Sequence, residues 1–272
     1  MNPIATLIAD HIEQWRVDNL PLIVGICGTQ ASGKSTASAQ VAAHFEAQGL
    51  RVAVLSLDDL YLGRAARSKL AADVHPLFAT RGPPGTHDVA LGLEVFGKLK
   101  AGETVQLPRF AKGLDEPYPR GEWPLIEGRC DVILFEGWCV GARPQAKALL
   151  AEPVNALEAQ EDAHGVWRRA VNDHLGGPTA DLFAVIDKLI YLQPPSFDIV
   201  HQWRCEQEHE LIAKAGANRP PAAMTDEQIA RFIAHYERIT CHIIAEMPPR
   251  ADLMIAIGDR RQVLSFIQKD ES

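Results

Sequence analysis

Residues 20–36 read LPLIVGICGTQASGKST. The first eight are apolar and rich in β-branched side chains, as in a strand buried on both faces. The next nine change character at once: Gly28, Gly33, Lys34 and Ser35 satisfy the spacing G-x-x-x-x-G-K-[ST]. A loop of that kind wraps phosphate oxygens in backbone N–H groups, its lysine reaches the β/γ oxygens, and its hydroxyl ligates Mg²⁺. A working cradle differs from a chance match by its context, a strand before and a helix after. Here KSTASAQVAAHFEAQG (34–49) supplies an alanine-rich helix closed by Gly49. Gly28, Thr29, Gln30, Ala31, Ser32, Gly33, Lys34, Ser35 and Thr36 are therefore read as a nucleotide-phosphate site, with Thr36 toward the α-phosphate.

Outward from the loop, helical and extended patterns alternate. Ile4, Leu7, Ile8, Ile12 and Trp15 share one helical face within an N-terminal segment, 1–20. RVAVLSL (51–57), CDVILFEGW (130–138), KLIYLQ (188–193) and ADLMIAI (251–257) add four strands to the first. A helix is expected around 89–99, another near 196–213 and a third over 226–246. The last opens on a capping box, Thr225 with Gln228, and a staple of Met224 on Ile229. Strands separated by helices predict an α/β fold: a doubly wound, parallel, five-stranded sheet with helices on both faces and ligands outside the carboxyl ends. The whole of 1–272 reads as a single domain. Stretches 62–88, 101–129 and 142–180 are long for plain connections, so 62–129 is expected to be a binding insertion and 194–225 a lid region.

Composition narrows the function. The chain of 272 residues carries a net charge of −8, which argues against a nucleic-acid surface while leaving room for a small anionic ligand in a local cluster of arginines. No apolar run approaches the about 18 residues of a membrane span. MNPIATLIADHIEQW lacks a basic start and meets Asp10 and His11 early, unlike a signal peptide. Cys27, Cys130, Cys139, Cys205 and Cys241 are odd in number and form no C-x-x-C pair, consistent with reduced thiols and a cytoplasmic location. His201 and His209 lack the matching ligands of a metal site.

Two acidic positions follow strands. Asp58 and Asp59, in VLSLDDLYLG, either form a solvated turn or place a carboxylate that takes the acceptor hydroxyl's proton. Glu136 ends VILFEGW, four apolar residues and an acid, the pattern that organises Mg²⁺ beside a phosphate loop.

GTQASGKS, LSLDDLYL and VILFEGW together resemble the P-loop kinases grouped with uridine kinase, pantothenate kinase and phosphoribulokinase. TRGPPGTHD (80–88), LPRFAKGLDE (107–116) and FEGWCVGARP (135–144) resemble the D-glycerate 3-kinase branch in particular, and the likeness runs loosely on through VWRRAVNDHL and HYERIT. The resemblance implies that Asp58, followed at three residues by Tyr61, is the base, with Asp59 a less certain neighbour. It implies that Arg81, His87 and Asp88 face the acceptor, and that a lid arginine, Arg204, stabilises the transferring phosphoryl group. It also implies ATP and Mg²⁺ as cofactors and D-glycerate as acceptor, with 3-phosphoglycerate as product.

The residues speak to part of this by themselves. Pro83, Pro84 and Gly85 stiffen and turn the loop, and Arg81 can pair with a carboxylate in bidentate fashion. Asp88 either accepts from substrate hydroxyls or caps the next helix, and His87 either faces the acceptor or helps close the turn. Arg109, Lys112 and Arg143 are further cations for an acidic substrate, or solvated surface charges. Arg204 either serves the lid or pairs with Glu206 or Glu208, and Arg260 and Arg261 either flank an adenine or face water. A nucleotide-hydrolysing switch is the reading from another class, and no N-K-x-D segment selects guanine for it.

Overall fold

The computed structural model describes residues 1–215 and 224–269. The chain opens on α1 (Pro3–Trp15), capped by the Asn2 side chain, which accepts from the Ala5 N–H at 2.8 Å. β1 (Leu22–Gly28), α2 (Lys34–Ala47) and β2 (Val52–Ser56) form the first crossover, followed by α3 (Arg64–Asp73) and α4 (Val89–Ala101). Two small antiparallel pairs come next: β3 (Val105–Gln106) lies on β6 (Leu125–Ile126), and β4 (Phe110–Ala111) on β5 (Glu116–Pro117). β7 (Val132–Gly137) leads through α5 (Ala156–Glu161), α6 (Val166–Gly176) and α7 (Pro178–Phe183) to β8 (Lys188–Gln193). α8 (Asp198–Ala215), α9 (Asp226–Ala234) and α10 (Glu237–Glu246) precede β9 (Leu253–Ile257) and β10 (Val263–Gln268).

The main sheet has the order β10-β9-β8-β1-β7-β2. Its five expected strands are parallel, and β10 adds a sixth, antiparallel to β9. That strand was not expected, because Leu264, Phe266 and Ile267 stay exposed on an edge instead of forming a uniform buried run. Alternation along β1 feeds two cores. Val24 and Ile26 join Ile8, Phe45 and Trp203 on one face; Ile23 and Cys27 join Phe96, Phe135 and Leu182 on the other. From the central pair β1/β7, one crossover runs outward to β2 and the next returns past β1 to β8, so the crevice opens at their carboxyl ends. Cys27 and Gly137 stand opposite each other at that end.

Two expectations are corrected. Residues 142–180 are not open loop: α5, α6 and the first half of α7 lie there, hidden from the sequence reading because buried Arg168 and Glu158 interrupt the apolar pattern. Arg238 on α10 takes Glu158 in a two-pronged pair, at 2.8 and 2.6 Å, and so fixes this cover. The helix expected over 226–246 breaks at His235–Tyr236 into α9 and α10, though its capping box is present. Asp58 and Asp59 follow β2 as expected, within a 3₁₀ turn, Leu57–Leu60. No helix among the described residues is long and apolar enough to cross a membrane.

Candidate active site

The phosphate loop closes on two left-handed residues, Ala31 (φ 57°) and Gly33 (φ 93°). A Cβ on Gly28 would meet the Ser32 hydroxyl at 2.8 Å, so the strand can end this tightly only on glycine. No side chain caps α2, which leaves its first N–H groups for a ligand. Thr29 Oγ1, Ser32 Oγ and both ends of the Gln30 amide are buried without a partner. Buried polar atoms left orphaned in this way fit a ligand made of acceptor and donor oxygens, as phosphates and their waters are.

β7 brings an acid to the same place. Ser35 donates to Glu136 Oε1 at 2.8 Å, and Lys34 Nζ stands 3.9 Å from Glu136 Oε2, which has no hydrogen bond of its own. A hydroxyl and a carboxylate with a spare oxygen are hard donors suited to Mg²⁺, which takes few protein ligands and completes its shell with phosphate and water. Among the described residues no cluster of three metal-binding side chains exists. Lys34, Ser35 and Glu136 are thus brought together as the sequence predicts.

The 3₁₀ turn presents Asp58 beside this group. Its carboxylate accepts from Lys112 Nζ at 2.5 Å and from the Tyr61 hydroxyl at 2.7 Å. Burial pushes the Asp58 acid up, but the charges of Lys112 and Lys34 and these hydrogen bonds outweigh it and hold the group at about 2. Burial, and then the Asp58 charge, raise the Tyr61 phenol, which stays protonated. Asp59 points elsewhere, since a 3₁₀ turn rotates about a third of a circle per residue. It accepts from the Phe110 N–H at 3.1 Å and from Arg109 at 3.3 Å, and burial raises its acid. Asp59 anchors the β4 segment. His87 stacks on Tyr61 at 4.9 Å with both ring nitrogens unpartnered, and burial lowers it to about 4, so it is neutral at pH 7.

The segment Arg81–Asp88 is fastened at several points. Tyr236 Oη donates to the Arg81 carbonyl at 3.0 Å, and Trp138 Nε1 to the Gly82 carbonyl at 3.1 Å. Thr86 Oγ1 accepts from the Gly82 N–H and donates to the Pro83 carbonyl. Asp88 caps α4 by accepting from the Leu91 N–H at 2.9 Å, so its capping alternative is realised. Arg81 pairs with Asp115 at 2.5 Å and lies 5.8 Å from the Phe110 ring. Buried Arg67 takes the other oxygen of Asp115 at 2.6 Å. Four cations, Arg67, Arg81, Arg109 and Lys112, therefore surround three carboxylates, Asp58, Asp59 and Asp115, on a shelf of Tyr61 and Phe110.

Other predicted residues lie elsewhere. Arg143 is exposed and lines a groove with Ile186, Leu189 and Arg250, level with the amino-terminal half of the strands. The chain after Trp138 doubles back under the sheet, which removes Arg143 from the acceptor set. Arg204 pairs with Glu208 at 2.6 Å, so the ion-pair alternative holds for it here. Part of the expected lid, 216–223, lies outside the described residues. Arg260 is exposed, whereas Arg261 is tied to the phosphate loop. Tyr236, Trp138, Asp115 and Arg67 were not singled out as site residues in the sequence, although HYERIT, FEGWCVGARP and LPRFAKGLDE contain the first three in turn.

No family model matches the chain. An uncharacterized kinase of Schizosaccharomyces pombe, mug58, is 30% identical over 235 residues, which take in 82% of this chain and 81% of that protein. The chain belongs to the P-loop kinases. Chloroplastic D-glycerate 3-kinase of Arabidopsis thaliana is 31% identical to this kinase over 228 residues, 79% of this chain but 46% of the longer plant protein. The solved structure of D-glycerate 3-kinase from Cryptococcus neoformans superposes with a TM-score of 0.82 at 27% identity, covering 99% of this kinase and 100% of that chain.

Proposed function

We propose that this kinase moves the γ-phosphoryl group of ATP to a hydroxyl of a small carboxylic acid, D-glycerate, giving 3-phosphoglycerate. The observation that carries this reading is the surplus cation on the Tyr61–Phe110 shelf beside Asp58. An acceptor carboxylate completes that charge balance, whereas an uncharged acceptor leaves it open.

Lys34, the loop N–H groups and α2 hold the phosphates. Ser35 and Glu136 would hold Mg²⁺, which when bound would supply positive charge against that of the phosphates. Arg81, with Asp115 behind it, takes the acceptor's carboxylate, and neutral His87 lines the same shelf. Asp58 orients the attacking hydroxyl and accepts its proton. An acid held at about 2 is a weak base while Lys112 lies on it. An arriving carboxylate competes for Lys112, frees Asp58 and restores its basicity, so the correct substrate switches on its own base. A loose phosphoryl-transfer transition state asks little more than this of the base.

The test is ATP consumption across D-glycerate, other hydroxy acids, nucleosides, pantothenate and sugar phosphates. Turnover with D-glycerate well above the rest is the expected result. Turnover confined to uncharged acceptors, or hydrolysis indifferent to any acceptor, overturns the reading.

A further inference from the structure

The turn between β9 and β10 reaches across to the phosphate loop. It closes with the Gly258 N–H donating to the Gln262 carbonyl at 2.8 Å and the Arg261 N–H to the Gly258 carbonyl at 2.9 Å. Arg261 adopts a left-handed backbone, φ 60°, which a non-glycine residue holds only when its surroundings compel it. The compulsion is visible. Arg261 Nε donates to the Ala31 carbonyl at 2.6 Å, its terminal nitrogen stands 3.1 Å from Glu206 on α8, and its guanidinium lies 5.1 Å over the Trp203 ring. Trp203, also on α8, returns the contact by donating Nε1–H to the Asp259 carbonyl at 2.6 Å.

Ala31 is likewise a left-handed non-glycine, and it lies inside the phosphate loop, where such a bend helps shape an anion-binding hollow. One side chain thus fastens the loop's strained residue to the helix that carries Arg204. Planar, with donors on several edges, it can do both at once; a lysine has donors at one compact head only and no fork to span the two sides. An arginine that flanked an adenine or faced water would need neither contact.

We propose that Arg261 is a positioning residue. It holds the phosphate loop in its nucleotide-receiving bend and couples occupancy of that loop to α8. The proposal rests on the loop's taking the nucleotide and goes beyond it by naming what keeps the loop in shape. Coupling of this sort is reciprocal: what orders the loop steadies α8, and what steadies α8 favours nucleotide binding.

The first measurement is calorimetric binding of a non-hydrolysable ATP analogue with Mg²⁺ to wild type, Arg261→Ala and Arg261→Lys. Loss of a hydrogen bond from a charged group is expected to raise Kd at least about tenfold in Arg261→Ala. Arg261→Lys, still able to donate to Ala31, should recover most of that loss, and kcat at saturating ATP should fall less than affinity. A folded Arg261→Ala with unchanged Kd sinks this proposal alone. Absence of nucleotide binding in wild type sinks the phosphate-site reading and this proposal with it. The second measurement uses Glu206→Gln, which cuts only the α8 end and keeps the result readable if Arg261→Ala does not fold. Hydrogen exchange should show the analogue protecting α8 in wild type and protecting it less in Glu206→Gln, with the loop protected in both. Equal α8 protection in the two proteins overturns the coupling.

Discussion

Asp58 stands between a charge that keeps it ionised and the proton that its proposed role asks it to take. Asp58→Asn preserves size and leaves Lys34, Ser35 and the loop intact, so nucleotide affinity should hold while kcat falls by about 10²–10⁴, the usual worth of general-base assistance. Asp59→Asn should behave differently, because Asp59 supports Phe110 and Arg109: KM for the acid should move more than kcat. Steady-state kinetics beside nucleotide titration decides both, and a dead Asp59→Asn with an active Asp58→Asn would reverse the roles. Lys112 offers a second check. Its charge and hydrogen bond depress Asp58, so Lys112→Gln should raise that acid from about 2 and shift the acidic limb of the kcat/KM profile to higher pH. An unmoved limb would mean that Lys112 does not govern the base. At this scale the sequence was legible where chemistry is local: the loop, Glu136, and Asp58 with Tyr61 are each contained in a few consecutive residues. Tyr236 escaped, because it meets the Arg81 carbonyl from 155 residues away and no spacing encodes such a contact.

The loop Arg81–Asp88 shows how elements hold one another. Gly82 has φ 126°, and a Cβ there would stand 2.0 Å from the Tyr236 hydroxyl. Gly82→Ala must therefore strain the backbone and displace Tyr236. A loss of at least about 1–3 kcal/mol in stability is expected, together with a raised KM for the acid and an unchanged Kd for ATP. Gly97 is the control: it sits in α4 with nothing near its missing Cβ, and Gly97→Ala should stabilise by about 0.5–1 kcal/mol. Denaturant titration of both variants reads the contrast, and a neutral Gly82→Ala would deny Tyr236 its role as a clamp. The same kind of mutual support explains which elements were readable. β1, β7 and β8 are buried runs that announce themselves. α6 is held by Arg168, whose guanidinium bonds the Leu150 and Asp162 carbonyls, so a charged residue fills a core position that periodicity assigns to an apolar one. β10 failed for the opposite reason, with apolar side chains left exposed at the edge of the sheet.

Across the molecule, burial has placed several imidazoles where they are hard to protonate. His87 is lowered from its ordinary 6.5 to about 4, and His174, His235 and His242 are lowered too, burial being the leading cause in each. The sign follows from proton counts. Below pH 6.5 the unfolded chain binds protons at these sites and the folded chain does not, so stability is complete above that pH and falls as the pH drops toward 4. Asp58 adds a loss only at lower pH, between its ordinary 3.8 and about 2, and Asp59, raised by burial, works in the opposite direction. In the window from pH 6.5 to 4 the histidines lower stability as the pH falls, and Asp59, whose folded acid lies above 3.8, offsets part of that loss. His87 alone accounts for about 3 kcal/mol across it, at 1.36 kcal/mol per pH unit. His87→Phe keeps a ring against Tyr61 and removes the titration. Denaturant midpoints measured at intervals from pH 7 to 4 should fall steeply for wild type and less steeply for His87→Phe, the slopes differing by up to about 1.4 kcal/mol per pH unit. Parallel slopes would show that the His87 imidazole takes up its proton in the folded protein and is not the neutral ring beside Asp58 that its surroundings require.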